Sequence, residues 1–384
     1  MNIAIDGYEA NVLQRLGSSQ MAFELIKHLE KIDHKNIYNI LLPDPPLDDL
    51  PKEREGWKYK VLKPKILWTR IVLPLALYTA KHRPDLFYSP THYIPRFSPV
   101  KRVATIFDLS FLHFPEMFRQ KDLWQLKNGT KFSAEFADHI ITISNSSKKD
   151  TVEQYGVKMD KITTTYPGYN KNIFYPIKNI MKIQNIIKKY DIKVPYIIYI
   201  GTIQPRKNLI RLMEAIKRID NLNLLVVGKA KGEGKQGWMY QETLDAPKML
   251  EIEERVKFLG YVPKEDLNYL INGATAFILP SLWEGFGLPV VESMACGTPV
   301  LVSNVSSLPE VVGGAGLTFD PYSVDQIEQA IRTITTDKKL REKYSKLGLA
   351  QAKKFSWEKM AKEVLKVFER VGNIYVCLYL LFTI

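Results

Sequence analysis

Short apolar runs alternate with polar turns and helically spaced stretches along the whole chain, and this alternation limits the possible folds more than any other feature. Asn2 to Asp6, Ile37 to Leu42, Asp85 to Ser89, Arg102 to Phe107 and His139 to Ser144 read as strands, most of them apolar on both faces. Continuous apolar strands separated by helices argue for an α/β domain with a parallel sheet covered on both sides. Between the first two strands, Met21, Ala22, Leu25, Ile26 and Leu29 recur at three- and four-residue spacing and form one apolar helix stripe. The pattern restarts after a lysine- and isoleucine-rich segment, with strands expected at Tyr196 to Ile200, Leu222 to Val227, Val256 to Leu259, Ala276 to Leu279, Pro299 to Ser303 and Leu317 to Phe319. The 384 residues are therefore expected to form two Rossmann-like, doubly wound domains. The expected boundaries are 1–177 for the first domain, 178–194 for a linker with a short helix, and 195–357 for the second. A C-terminal helix and apolar tail, 358–384, is expected to pack back on the first domain. Open parallel sheets bind ligands at the carboxyl ends of their strands, so a cleft between facing domains is the expected active site.

Composition narrows the function. A quarter of the residues are charged and 46% are hydrophobic, which excludes a disordered chain. The net charge of +13 fits nucleic acid, an anionic membrane or phosphorylated small molecules. No zinc-finger spacing, RNP-like aromatic pattern or long arginine tract is present, so nucleic acid is not the expected partner. Cys296 and Cys377 lie far apart without metal-ligand spacing, which fits a reducing cytoplasm and neither a disulfide framework nor a zinc site. Met1 to Asp6 shows no signal-peptide pattern, and a cytoplasmic location is expected. The apolar run Ile71 to Ala80 is far short of the ~20 residues that span a bilayer.

Two constellations carry the chemistry. In Ser281-Leu-Trp-Glu284-Gly-Phe-Gly-Leu-Pro289-Val-Val-Glu292, a strand end leads through a glycine-interrupted loop into a helix, with Pro289 near its start. Gly285 and Gly287 leave backbone N–H groups open beside that helix N-terminus, a positive field suited to a phosphate or a sugar hydroxyl. In Gly201-Thr202-Ile-Gln-Pro-Arg206-Lys207-Asn208, two adjacent cations stand at the start of the next helix and oppose its dipole unless an anion offsets them. A diphosphate would do so, chelated by Arg206 with Lys207 as a point charge. In the other domain Gly17 precedes a helix for which Ser18 or Ser19 is the expected N-cap, and an anion contact there is equally open.

These stretches, with Leu308-Pro-Glu-Val-Val-Gly-Gly-Ala-Gly316 and the looser Ala137 to Ser144 and Tyr166 to Phe174, strongly resemble family 4 retaining glycosyltransferases over nearly the whole chain. The resemblance implies a GT-B fold with the nucleotide-sugar donor held mainly by the second domain and the acceptor by the first. It implies metal independence, and no Asp-x-Asp occurs in the chain. No cofactor is implied; the donor is a GDP- or UDP-linked sugar, with mannose the guess. By motif position, Glu284 would lie beside the transferring sugar. Backbone groups of Gly285, Phe286, Gly287 and Leu288 would meet sugar and phosphate, and Glu292 the ribose hydroxyls. Arg206 and Lys207 would hold the diphosphate, with Thr202 and Gly17 among the donor contacts. The implied mechanism is transfer with retained configuration through an oxocarbenium-like transition state. Removing one cation from the departing diphosphate would then lower the rate about a hundredfold, or ~3 kcal/mol.

In the first domain Asp108 ends a strand and is a candidate catalytic or hydroxyl-orienting residue, or a turn cap. Many relatives carry His-Asp where this chain has Phe107-Asp108, while His92 and His113 read as structural. Gly232-Glu-Gly234-Lys-Gln-Gly237 has dinucleotide-binding spacing without the strand-turn-helix context, and reads as a loop. Lys58, Lys60, Lys63 and Lys65, interleaved with Trp57, Tyr59 and Trp68, suit either an anionic bilayer at the inner face of the plasma membrane or a strand and helix with a solvated face. The function expected is therefore a hexosyltransferase acting on a glycan or lipid-linked glycan. The alternatives are a nucleotide-sugar epimerase of the same fold and a non-catalytic nucleotide-sugar-binding protein.

Overall fold

A computed structural model describes residues 1–229 and 240–381. It divides into two units, Met1–Gly168 together with the segment from Ser356 onward, and Tyr169–Phe355. The first contains β1 (Asn2–Asp6), β2 (Ile37–Leu42), β3 (Trp57–Val61), β4 (Leu86–Ser89), β5 (Lys101–Ile106), β6 (His139–Thr142) and β7 (Ile162–Thr164). They lie in the order β3-β2-β1-β4-β5-β6-β7, every neighbouring pair parallel. The second contains β8 (Tyr196–Ile200), β9 (Asn223–Val227), β10 (Val256–Gly260), β11 (Ala276–Leu279), β12 (Val300–Ser303) and β13 (Leu317–Phe319). Their order is β10-β9-β8-β11-β12-β13, again all parallel. Each sheet reverses its direction of growth once, between β1 and β4 and between β8 and β11. The loops leaving the carboxyl ends of those strands frame each unit's ligand crevice.

The central strands are buried on both faces, as their unbroken apolar sequences require: Ile3, Ile5, Phe87, Tyr88, Ile197, Ile198, Phe277 and Ile278 have no exposed surface. Two edge strands fall outside that criterion: β3, for which a strand is only one of the two sequence readings, and β7, which has no sequence reading as a strand. β3 alternates, with Trp57 buried and Lys58 and Lys60 in solvent, because an edge strand covers one face only and its lysines discourage pairing with another chain. β7 has three residues, Ile162–Thr164, too few to register as a periodic run.

The stretch expected as a linker belongs to the second unit. Asn272 accepts the Ile177 N–H (2.7 Å), and helix Ile180–Lys189 packs on helix Lys264–Gly273. Lys189 and Tyr190 both donate to Asp266, at 2.6 and 2.7 Å. The chain returns to the first unit at Ser356 and runs into helix Trp357–Leu381. Met360, Ala361, Val364, Val367 and Phe368 of that helix are buried. They face helix Ser18–Ile32 and the sheet, with the Phe368 ring 5.1 Å from Tyr88. Among the described residues no helix is long and apolar enough to cross a membrane. The glycines at 232, 234 and 237 and the last three residues of the tail lie outside the described residues.

Phe368→Ala removes the largest fully buried side chain of the returning helix. It should lower the stability of the first unit by about 3–5 kcal/mol, measured as a shift in its urea midpoint without loss of the second unit's transition.

Candidate functional site

The site is built by two loops that leave adjacent strands at the reversal point of the second sheet. After β8 the chain passes Gly201 and Thr202 into a 3-10 turn, Pro205–Lys207, then Asn208, then helix Leu209–Lys217. Asn208 takes the left-handed conformation (φ 59°), which Asn tolerates better than most residues. Its buried amide donates to the carbonyls of Pro280 (3.0 Å) and Pro321 (2.7 Å), and its oxygen accepts from Arg211 (2.8 Å). The Leu282 N–H donates to the Arg206 carbonyl (2.8 Å), and Arg206 Nη1 donates to the Trp283 carbonyl (2.8 Å). The β8 and β11 loops are thereby stitched together through backbone and side chain.

Lys207 Nζ consequently donates to Glu284 Oε1. Ser281 Oγ donates to the same oxygen at 2.6 Å, and Arg206 Nη1 stands 3.5 Å from Oε2. Lys207 and Glu284 are both 8% exposed. Burial alone would raise the Glu284 pKa. The charges of Lys207 and Arg206, with the hydrogen bonds from Lys207 and Ser281, outweigh it and hold the carboxyl below its ordinary range. Glu284 is therefore ionised at neutral pH and supplies the anion that the sequence required beside the two cations. Two positive groups against one carboxylate leave a net positive charge, suited to an anion such as a diphosphate. Burial, and the Glu284 charge after it, keeps the Tyr199 phenol protonated.

Glu284 is also held through its backbone: its N–H donates to Ser306 Oγ and its carbonyl accepts from Ser307 Oγ, both at 2.9 Å. Gly287 starts helix Leu288–Ala295 at φ +95°, where a Cβ would stand 3.0 Å from Leu308 Cδ2. Gly285 is buried, and the Phe286 ring packs edge-on against Phe355 at 5.4 Å, so its side chain serves the core. Glu292, the fifth residue of that helix, is half-buried and close enough to help burial raise the Cys296 thiol pKa. It lies beyond the first turn, where the dipole no longer accounts for an acid. Gly228, after β9, approaches so closely that a Cβ there would meet the Gly201 carbonyl oxygen at 1.9 Å. Thr202, half-buried, accepts from the Tyr199 hydroxyl through its carbonyl (3.2 Å).

Asp108 and Gly17 lie in the first unit. Asp108 Oδ1 accepts the Ser110 N–H (2.8 Å), which makes it a turn cap. An imidazole stands behind position 107 after all. His92 Nε2 accepts from the Phe107 N–H (3.4 Å), Nδ1 faces Thr130 Oγ1 (3.3 Å), and burial pushes its pKa down to about 4. It is neutral and committed to the scaffold. His113 is likewise engaged with Asp150 (2.8 Å). Helix Ser18–Ile32 has Gly17 (φ 55°) at its N-cap and no side-chain cap. Ser19 Oγ donates to Glu9 (3.0 Å) in place of the expected capping bond. Lys58 lies 3.6 Å from Glu53, Lys63 and Lys65 pair with Asp44 at 3.1 and 2.7 Å, and Lys60 is exposed on β3. Sequence reasoning missed Asn208 and Ser281. The available signals were an Asn following two cations at a helix start, and a Ser three residues before the key Glu.

Residues 182–351 match the family described as Glycosyl transferases group 1, and residues 17–172 match Glycosyltransferase Family 4. O-antigen chain mannosyltransferase B of Escherichia coli is 33% identical over 285 residues, which is 74% of this chain and 74% of that protein. Among solved structures, sucrose-phosphate synthase of Thermosynechococcus elongatus superposes with a TM-score of 0.77 at 20% identity, covering 96% of this chain and 98% of the other. HepE of Anabaena in complex with UDP-glucose gives 0.75 at 19%, covering 96% and 100%. At these identities the structural likeness establishes the fold.

Lys207→Met leaves the buried Glu284 with its principal partner gone, and should lower the stability of the second unit by roughly 3–5 kcal/mol at pH 7. The pair stabilises the fold above the ordinary glutamate range and ceases to do so as the pH falls through the depressed Glu284 pKa. The deficit of the variant should therefore shrink in urea titrations at progressively lower pH.

Proposed function

The chain belongs to glycosyltransferase family 4, and from that premise we propose that it is a retaining, metal-independent hexosyltransferase of cell-surface polysaccharide synthesis. It moves mannose from a nucleotide-sugar to a glycan or lipid-linked glycan. That the protein is a glycosyltransferase, and that its two parallel-sheet units have the GT-B fold, follows from the family matches and the structural neighbours. Mannose rests on the 33% identity to a mannosyltransferase.

The observation that carries the site assignment is the cluster of buried Lys207 and Glu284 with half-buried Arg206 at the carboxyl ends of β8 and β11. In the transfer step the bond between the anomeric carbon and the diphosphate oxygen breaks and its electron pair leaves with the diphosphate, while the acceptor hydroxyl oxygen bonds to the anomeric carbon from the same face and passes its proton to the departing diphosphate. Lys207 and Arg206 stabilise that developing charge. A diphosphate competes with Glu284 for both cations, which turns the Glu284 carboxylate toward the hydroxyls of the transferring sugar. Glu292 accepts from the ribose hydroxyls, and backbone N–H groups of the Gly285 to Leu288 loop meet the phosphates. Asp108 orients an acceptor hydroxyl with the oxygen not used in its turn, and Thr202 and Gly17 flank the donor.

The partner surface proposed for the first unit is an anionic membrane, which also places the protein at the cytoplasmic face of the plasma membrane. No acid occurs from Gly56 to Pro84, a stretch containing Lys58, Lys60, Lys63, Lys65, Arg70, Lys81 and Arg83. Between those cations, Ile66, Leu67, Ile71, Leu75 and Tyr78 are exposed. Ile71, Leu75 and Tyr78 follow helical spacing along Trp68–Val72 and Leu73–Tyr78, and Arg70 lies over the exposed Trp124 ring at 5.9 Å. Apolar side chains ringed by cations suit the headgroup boundary.

A thermal-shift series with GDP-, UDP-, ADP- and dTDP-sugars, without added metal, should show one base class raising the melting temperature. Lys207→Ala and Glu292→Ala should weaken that response at least tenfold in donor affinity, while Glu284→Ala mainly lowers kcat; unchanged donor affinity in both of the first two variants would refute the site. Sedimentation with phosphatidylglycerol vesicles should be lost in high salt. It should weaken in Ile71→Ser/Leu75→Ser and on neutralising Lys58, Lys60, Lys63 and Lys65, and equal binding to neutral vesicles would refute the membrane surface.

A further inference from the structure

The reversal point of the first sheet lies between β1 and β4, and β1 ends there in an acid, Asp6. Its neighbours in the sheet are apolar or hydrogen-bonded: Leu41 lies opposite it on β2, and Tyr88 on β4 bonds Thr105. Asp6 is 3% exposed, and one oxygen carries both of its hydrogen bonds. Oδ1 accepts from Trp68 Nε1 (3.0 Å) and from the Tyr8 N–H (3.1 Å). Oδ2 accepts none among the described residues. The enclosed side-chain atoms left without a partner are on Asp150, Tyr155, Thr165 and Ser293. Oδ2 is not one of them, so it is not wholly enclosed although the residue as a whole is buried. The Tyr8 and Trp68 rings stand beside the carboxyl, 5.8 Å apart.

A carboxylate with one tethered and one unpaired oxygen is suited to a sugar: the unpaired oxygen can accept from a hydroxyl while the buried Trp68 and the Tyr8 N–H hold the other in place. We propose that Asp6 is an acceptor-recognition residue whose Oδ2 accepts a hydrogen bond from a hydroxyl of the acceptor sugar at the carboxyl end of β1. This rests on the glycosyltransferase reading given above, and deepens it by naming a group, in addition to Asp108, that the first unit offers to the acceptor.

The electrostatics agree with a functional carboxyl. Burial raises the Asp6 pKa to about 6, against the hydrogen bonds from Trp68 and Tyr8, and Glu9 on the same loop adds to the rise. The nearest cation shown beside that loop is Lys65, whose Nζ lies 5.7 Å from the Tyr8 ring and bonds Asp44. A folded-state pKa above the unfolded value means that the native state loses stability as the pH rises from the ordinary aspartate range to about 6. At neutral pH the ionised carboxylate is maintained at the expense of stability, as functional carboxyls commonly are.

The test measures transfer from the nucleotide-sugar that stabilises the wild type to octyl glycosides of mannose, glucose, galactose and N-acetylglucosamine. Asp6→Asn keeps an oxygen for Trp68 and Tyr8 but removes the charge. It should raise the acceptor KM about tenfold, leave donor-induced stabilisation unchanged, and melt at a higher temperature than wild type at pH 7. Wild-type acceptor kcat/KM should climb as the pH passes about 6, and the Asn variant should lack that limb. Trp68→Phe, which removes a bond favouring the ionised form, should move the limb to higher pH and preserve the plateau. An unchanged acceptor KM in Asp6→Asn, with wild-type transfer intact, overturns the assignment and leaves the proposed function standing. Donor binding without transfer to any octyl glycoside by the wild type overturns the transferase reading and this inference with it.

Discussion

The buried pairing of Lys207 with Glu284 organises the carboxyl face of the second unit. Neither charge tolerates that environment alone, and each is there because the other is. The β8 loop brings Lys207 in through a tight 3-10 turn, and the β11 loop brings Glu284 in through Ser281. Asn208 fastens the two loops with a left-handed residue that needs no glycine. The geometry also explains how two adjacent cations at a helix start can be stable before any ligand arrives. The anion is internal, and a diphosphate would exchange places with it.

The same strand order occurs twice, yet the two reversal points carry different chemistry. In the second unit the carboxylate is held below its ordinary range by two cations. In the first, Asp6 has no cation bonded to it among the described residues, and burial raises its pKa. One carboxyl is therefore a fixed counter-charge and the other a group poised to titrate. Topology supplies the location in both cases, and the residues at the strand ends decide what each location can do.

In the first unit, polar side chains near strand ends find a local partner whenever one is within reach. Asp108 caps the Ser110 turn, His92 is bonded to Phe107 and Thr130 as a neutral ring, and Ser19 bonds Glu9 and does not cap its helix. Three of the four lysines expected at a membrane are paired with Asp44 or Glu53. The stronger feature of that surface is the exposed Ile71, Leu75 and Tyr78 stripe beneath an acid-free stretch of chain.

The sequence by itself determined the two-sheet architecture, because strands buried on both faces must be apolar throughout and their helices must carry a 3.6-residue stripe. It also determined the two motif loops, since glycines, a proline and charges at a helix start have few other uses. It offered β3 only as the alternative to a membrane surface, because the lysines of an edge strand alternate with aromatics in place of an unbroken apolar run, and it did not reveal the three-residue β7. It did not show that residues 169–194 belong to the second unit, because that depends on Asn272 and Asp266 reaching back across ~75–100 residues of chain. Only the tertiary structure decided which groups meet. Lys207 and Glu284 are 77 residues apart, and Asp6 and Trp68 are 62 apart. No local pattern encodes such pairings, which arise when the order of parallel strands brings distant loops to one edge of a sheet.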